Sequence, residues 1–197
     1  MKVEIKEIVG KVLARLDESE DVLEDSVEYG SPWYDTRKLI EELMPEAAEK
    51  VVSTASIEDI AEWIPLTGSV TPIYSGEVVV RRVLPIPDDY MRFVYLRMSD
   101  WTEGVTRLVD SRSDTASLRR YWNMRADRGK RSPAVVKGCY NGKRVLEIFG
   151  SVTGSRMAEG GYIPRPHADV EGNLIFPASL KGELVESLVK TVKEIRR

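Results

Sequence analysis

The chain has 197 residues, of which 31% are charged and 42% hydrophobic, and a net charge of −3. A chain of this length buries roughly 70% of its extended surface, so its core needs neither disulfides nor a metal. A single cysteine, Cys139, excludes an intramolecular disulfide framework, and the slight negative charge argues against a surface that coats nucleic acid all round. Ile5, Ile8, Val9, Val12, Leu13 and Leu16 recur at three- and four-residue spacing and predict an amphipathic helix. It fades into the acidic run DESEDVLEDSVE and stops at Gly30, Ser31 and Pro32. A second helix is expected from near Tyr34 or Asp35, with Leu39, Ile40 and Leu43 on one face. Pro45 either kinks it or opens a new helix, and Ala47, Ala48, Val51 and Val52 continue the apolar face. Ser56 with Asp59 resembles a capping box for a short helix, IEDIAEWI, ended by Pro65. Residues 1–65 therefore read as a helical hairpin or small bundle.

From Gly76 the pattern changes. EVVVRRVLP is rich in β-branched residues and predicts a strand. Pro87 and Asp88 then open a helix near 88–100, DYMRFVYLRMSDW. VTRLVD (105–110) predicts a further strand, and Ser113 with Asp114 caps a helix near 113–126. Asn141–Gly142, set between alternating apolar runs, predicts a β-hairpin, and RMAEGGYIPRPHADVEGNLIFP reads as short strands and turns. Leu180, Leu184, Leu188, Val192 and Ile195 share one face of a C-terminal helix. Each side chain buried there contributes ~1.5–3 kcal/mol, so the helix is expected to dock. The fold class is α+β in a single domain, 1–197. It comprises a helical region (1–65), a mixed β-rich region holding a small antiparallel sheet (66–177), and the closing helix (178–197).

Charge is distributed unevenly. Residues 1–28 hold nine acids and four bases, a net of −5, whereas 119–131 hold six bases and one acid, a net of +5. The basic segment, with Tyr121 and Trp122 among its arginines, admits two readings. Its aromatics can stack on bases while its arginines meet phosphates, or its charges can meet an acidic neighbour. No RNP, KH or helix-turn-helix pattern supports the first. If the acidic and basic regions meet between copies, the contact is heterologous, and such contacts close into rings.

Catalytic constellations find little support. His167, the only histidine, stands in a turn (RPHAD) without a nearby nucleophile motif. Cys139 lies in a predicted strand, where a buried, inert thiol is expected. Gly138 to Arg144 is one residue short of a phosphate loop and has Arg where Ser or Thr must meet magnesium. The adjacent carboxylates Asp88 and Asp89 suit a helix start better than acid–base work, because they would accept orphan N–H groups and complement the dipole. No run approaches the ~18 apolar residues of a membrane span, and MKVEIKEIVGKVLARL lacks the apolar core of a signal peptide. No enzyme activity, cofactor, metal or membrane contact is expected.

The stretch Leu84-Pro85-Ile86-Pro87-Asp88-Asp89-Tyr90, then Val94, Leu96, Arg97 and Trp101, with the later Asn141–Gly142 hairpin, resembles the head-to-tail adaptors of short-tailed bacteriophages. These are also called head-completion or tail-tubular-A-like connectors. The likeness lies in the order of segments, is strongest across residues 57–150, and carries no catalytic residue. It implies a homo-oligomeric ring, usually dodecameric, beneath the portal protein at the head–tail junction of a virion assembled in the host cytoplasm. Such a ring meets further tail or ring proteins and extends the channel through which DNA passes without sequence-specific binding. Candidate subunit-interface residues are Arg92, Tyr95 and Trp101; Arg119, Arg120, Trp122, Arg125 and Arg128; and the acidic Glu20, Asp21, Glu24 and Asp25. The alternative is a nucleic-acid-binding accessory protein using 119–131, and a small hydrolase around His167 ranks last.

Overall fold

The computed structural model describes residues 1–16, 36–109 and 133–196. The helix expected near 113–126 and the acidic run after Leu16 fall outside these. The chain divides into two compact units, Met1–Trp63 with Pro164–Arg197, and Ile64–Ile163. The chain combines helices with small antiparallel sheets and has a helix at the C-terminal end; the described helices all lie in the first unit.

In the first unit, β1 (Lys2–Glu4) leads directly into α1 (Ile5–Arg15), which buries Ile8, Val9, Val12 and Leu13. The helix ends where Leu16 N–H is shared between the carbonyls of Val12 and Leu13. Helix α2 (Thr36–Thr54) buries Ile40, Met44, Ala48 and Val52, among others. It runs through the exposed Pro45 as one helix, because apolar contacts on both sides of the proline hold the segment where one backbone bond is missing. At the other end of the sequence α3 (Lys181–Ile195) buries Leu184, Val185, Leu188 and Val192 and packs against both α1 and α2. The helices of the first third are thus completed by the last. A sheet ordered β1–β10–β9 joins them, with β9 (His167–Ala168) and β10 (Asn173–Ile175), and Val3 pairs with Leu174.

The expected helix after Ser56 is absent: residues 55–63 are irregular, with one tight turn around 58–59 in which Asp59 N–H meets Ser56 O and Ile60 N–H meets Ile57 O. Ser56 Oγ does accept the Glu58 N–H at 3.4 Å, but a segment this short cannot offset helix nucleation.

The second unit is β-rich. One sheet is ordered β3–β4–β7–β6, from Thr71–Ser75, Val78–Pro85, Lys143–Phe149 and Ala134–Tyr140 in that order, and every neighbouring pair is antiparallel. Asn141 and Gly142, at φ of 50° and 74°, turn β6 into β7; two consecutive left-handed residues are what a two-residue hairpin turn needs. The other sheet is ordered β2–β8–β5, from Ile64–Pro65, Met157–Pro164 and Tyr90–Met98.

Strand β5 corrects the sequence reading, which expected a helix near 88–100. Its buried residues, Tyr90, Phe93, Leu96 and Met98, begin at three-residue spacing and so imitate a helical face. The aromatic and β-branched content of YMRFVYLRM suits a pleated surface, and tertiary burial decides for strand. With no helix to begin, Asp88 and Asp89 are not a cap: they form the turn closed by Tyr90 N–H on Pro87 O at 3.1 Å. The strand expected at 105–110 shrinks to two isolated bridges, Leu96 with Val105 and Val109 with Val136. Leu66, Leu84, Phe93, Trp101, Leu146 and Ile148 lie at the centre of this unit's core.

Candidate functional site

Two surface features of the β-rich unit stand out, and both rest on side chains that strand pairing fixes in place. The first is the loop between β7 and β8. Arg82, in the middle of β4 and paired across the sheet with Ile148, is 3% exposed. Its guanidinium donates from Nη1 to the Ser151 carbonyl at 3.1 Å and to Ser151 Oγ, and from Nη2 to the Val152 carbonyl. A buried guanidinium loses several kcal/mol of hydration, and here backbone and hydroxyl oxygens replace the water.

From the other side Asp100 accepts the Val152 N–H at 2.7 Å and the Ser155 hydroxyl. The Trp101 indole N–H donates to the Gly150 carbonyl at 3.2 Å, and Ser99 Oγ accepts the Arg156 N–H at 3.1 Å. Gly150 and Gly154, at φ of 81° and 83°, supply left-handed turns at both ends. The outcome is a surface loop held from both sides with an apolar residue, Val152, 64% exposed at its apex.

The second feature is the end of the β6–β7 hairpin. Lys137, Lys143 and Arg144 are exposed, and no acidic residue lies between 134 and 146. Lys137 Nζ sits 5.1 Å from the centroid of the Tyr90 ring, a cation–π contact. Tyr90 in turn stacks on Tyr162, with centroids 5.8 Å apart, and Tyr162 donates its hydroxyl to the Asp89 carboxylate at 3.0 Å. Burial first, and then the Asp89 hydrogen bond and charge, push the Tyr162 phenol up to about 12; burial alone drives Tyr90 upward too. The Tyr90 hydroxyl is buried without a hydrogen-bond partner among the described residues.

The chain matches no protein-family model and no curated protein.

The sequence-predicted residues are scattered. Trp101, 5% exposed, belongs to the core and braces the loop through its indole. Tyr95 and Arg97 on β5 meet Glu159 on β8, the guanidinium at 2.9 Å, and Arg92 is half-buried on the same strand. Arg119, Arg120, Trp122, Arg125 and Arg128, with Glu20, Asp21, Glu24 and Asp25, lie outside the described residues. Cys139 is exposed on β6, not buried, because its face of the sheet is open near the hairpin end. His167 is exposed on β9, its Nδ1 2.9 Å from the Arg165 carbonyl. Among the described residues no group of three or more His, Cys, Asp or Glu could hold a metal ion, and no helix is long and apolar enough to cross a membrane.

Sequence reasoning missed Arg82, Asp100 and Ser151. The signal was present in EVVVRRVLP: two consecutive arginines on a pleated strand must face opposite sides, so one of them enters the core.

Proposed function

We propose that the chain is a structural, non-catalytic protein of a bacteriophage virion. Copies assemble into a ring at the portal vertex, where the ring joins head to tail and extends the DNA channel. Its partners are further copies of itself, the portal protein and later tail or ring proteins.

The observation that carries this reading is the loop held by Arg82 and Asp100. A charged side chain is withdrawn from water to fix an exposed loop bearing an apolar apex, and a second charged group, Asp100, accepts a hydrogen bond from the backbone of the same loop. Holding a contact loop in one conformation before association lowers the ordering cost of binding, which suits repeated docking between like subunits. The resemblance supports the same reading, since Leu84 to Tyr90 joins β4 to β5 beside this feature in sequence.

The test is assembly. Size-exclusion chromatography with mass photometry is run on the protein alone and mixed with the portal protein of the same phage. A higher-order ring in the mixture supports the proposal, whereas a chain that stays monomeric with the portal present removes it.

A further inference from the structure

We infer that the end of the β6–β7 hairpin is a phosphate-contacting element for duplex DNA, made by Lys137, Lys143 and Arg144. Register places these cations on both faces of the ribbon. Lys143 pairs with Tyr140 on one face, while Lys137 and Arg144 lie on the other, diagonal to one another through the pairs Lys137–Leu146 and Cys139–Arg144. Diagonal cross-strand neighbours stand roughly 7–8 Å apart, within reach of long side chains.

The scaffold beneath them is stiff. Seven consecutive residue pairs join β6 to β7, the turn uses two left-handed residues, and Ile86 N–H ties the Arg144 carbonyl to the neighbouring chain segment at 3.1 Å. None of the three cations forms an ion pair with a described residue. Arg81 and Arg97 in the same unit are each matched, to Glu147 and Glu159. Asp89, joined to Lys137 only through the Tyr90 and Tyr162 rings, accepts the Tyr162 hydroxyl.

Lys143 and Arg144 stand side by side at the turn and repel each other with no described carboxylate to offset them, so their use lies outside the chain. Lys137, further down β6, rests against the Tyr90 ring and leaves its ammonium exposed beside them. The three cations offer donors only, two ammonium groups and a guanidinium, with no carboxylate between 134 and 146 to read a base donor. Such a set positions phosphates without selecting sequence. Cations on opposite faces of a narrow ribbon can meet the phosphate rows on the two walls of a groove, and a flat acidic protein surface would engage only one of them. This inference concerns a contact and does not require the ring.

The test uses the full chain and a short duplex DNA of mixed sequence, with binding followed by fluorescence anisotropy across a salt series. Each phosphate contact contributes about −0.9 to the slope of log affinity against log salt, so replacing all three cations by glutamine should make the slope shallower by about 2–3. A second variant, with Lys137→Arg, Lys143→Arg and Arg144→Lys, should restore it, which separates charge from folding. An unchanged slope in the glutamine variant, or no salt-dependent binding by the wild-type chain, overturns the inference. So does a glutamine variant that loses binding to poly-glutamate while its DNA slope is intact, because the hairpin partner is then an acidic protein. Assembly with the portal is scored on the same variants. A ring without hairpin-dependent DNA contact removes only this inference, and hairpin-dependent contact without a ring removes only the assembly proposal.

Discussion

The guanidinium of Arg82 donates to the carbonyl of Ser151 at 3.1 Å from a position 69 residues earlier in the chain, and both residues are buried while the loop that follows, 152–154, is exposed. Its two terminal nitrogens span the carbonyls of Ser151 and Val152, which a planar fork does and a single ammonium cannot. Arg82→Lys should therefore cost about 1–3 kcal/mol, in the range of hydrogen bonds to charged groups. Arg82→Met, which takes both of these donors away and leaves the Val152 carbonyl with only the Ser155 N–H at 3.1 Å, should cost at least as much. Equilibrium denaturation measures both, and a methionine variant as stable as wild type would show that the loop does not depend on this side chain.

Asp100 restrains the same loop from outside, through the Val152 N–H and the Ser155 hydroxyl. It is exposed, so its removal should cost only about 1 kcal/mol overall, near the value of an ordinary net hydrogen bond. The local effect is larger. In Asp100→Ala, amide exchange at residues 152–155 should accelerate while exchange in the strands on either side stays at the wild-type rate. Uniform acceleration across β7 and β8 would mean that Asp100 supports the sheet and not the loop.

Glu147 shows how closely the hairpin stem is fitted. A Cβ added at Gly138 would approach the Glu147 carboxyl group to 2.8 Å, and that carboxyl pairs with Arg81 at 3.4 Å. Gly138→Ala should push Glu147 aside and loosen the pair, at a cost of about 0.5–1 kcal/mol for a partly buried contact. In a Glu147→Ala background, where the carboxyl is gone and the pair with it, adding Gly138→Ala should cost much less than it does in the wild-type chain. An equal cost in the two backgrounds would place the strain in the backbone.

Helical spacing was legible where one face alone is buried, as in α1 with Ile8, Val12 and Leu13 and α3 with Leu184, Leu188 and Val192. It misled at β5, where Tyr90, Phe93 and Leu96 are buried three apart on a strand. Local pattern cannot separate these cases; only the partner strand β8 does. The Arg82 loop was out of reach for a related reason, since its donors and acceptors meet through the β4–β7 register and not through any short motif. The basic hairpin end was readable as residues, yet its lack of acidic partners among the described residues became visible only with the ion pairs of the surrounding strands in place.

Leu188 tests the docking of the closing helix. It is fully buried on α3, in the bundle with α1 and α2. Leu188→Ala should destabilise by about 2–5 kcal/mol, the range for a leucine truncated in a packed core. Thermal denaturation by circular dichroism gives the value, and a loss below about 1 kcal/mol would mean that the site collapses around the smaller side chain.

The Asp89–Tyr162 contact makes stability depend on alkaline pH. Tyr162 is raised from the ordinary 10 to about 12, chiefly by burial and further by the Asp89 carboxylate that its hydroxyl bonds at 3.0 Å. The folded chain therefore keeps this proton at a pH where the unfolded chain has released it. Stability falls with rising pH wherever the unfolded state binds fewer protons, so the contribution is fully present below about pH 10 and is lost between about 10 and 12. Tyr90, raised by burial and stacked on Tyr162, adds to the loss in the same direction. Tyr162→Phe removes one of the two titrations together with the bond to Asp89. It should be less stable than wild type at pH 7, and its denaturation midpoint should fall less steeply from pH 10 to 12. Urea midpoints measured for both proteins across that window give the comparison, and parallel curves would mean that the Tyr162 proton is not held by the fold.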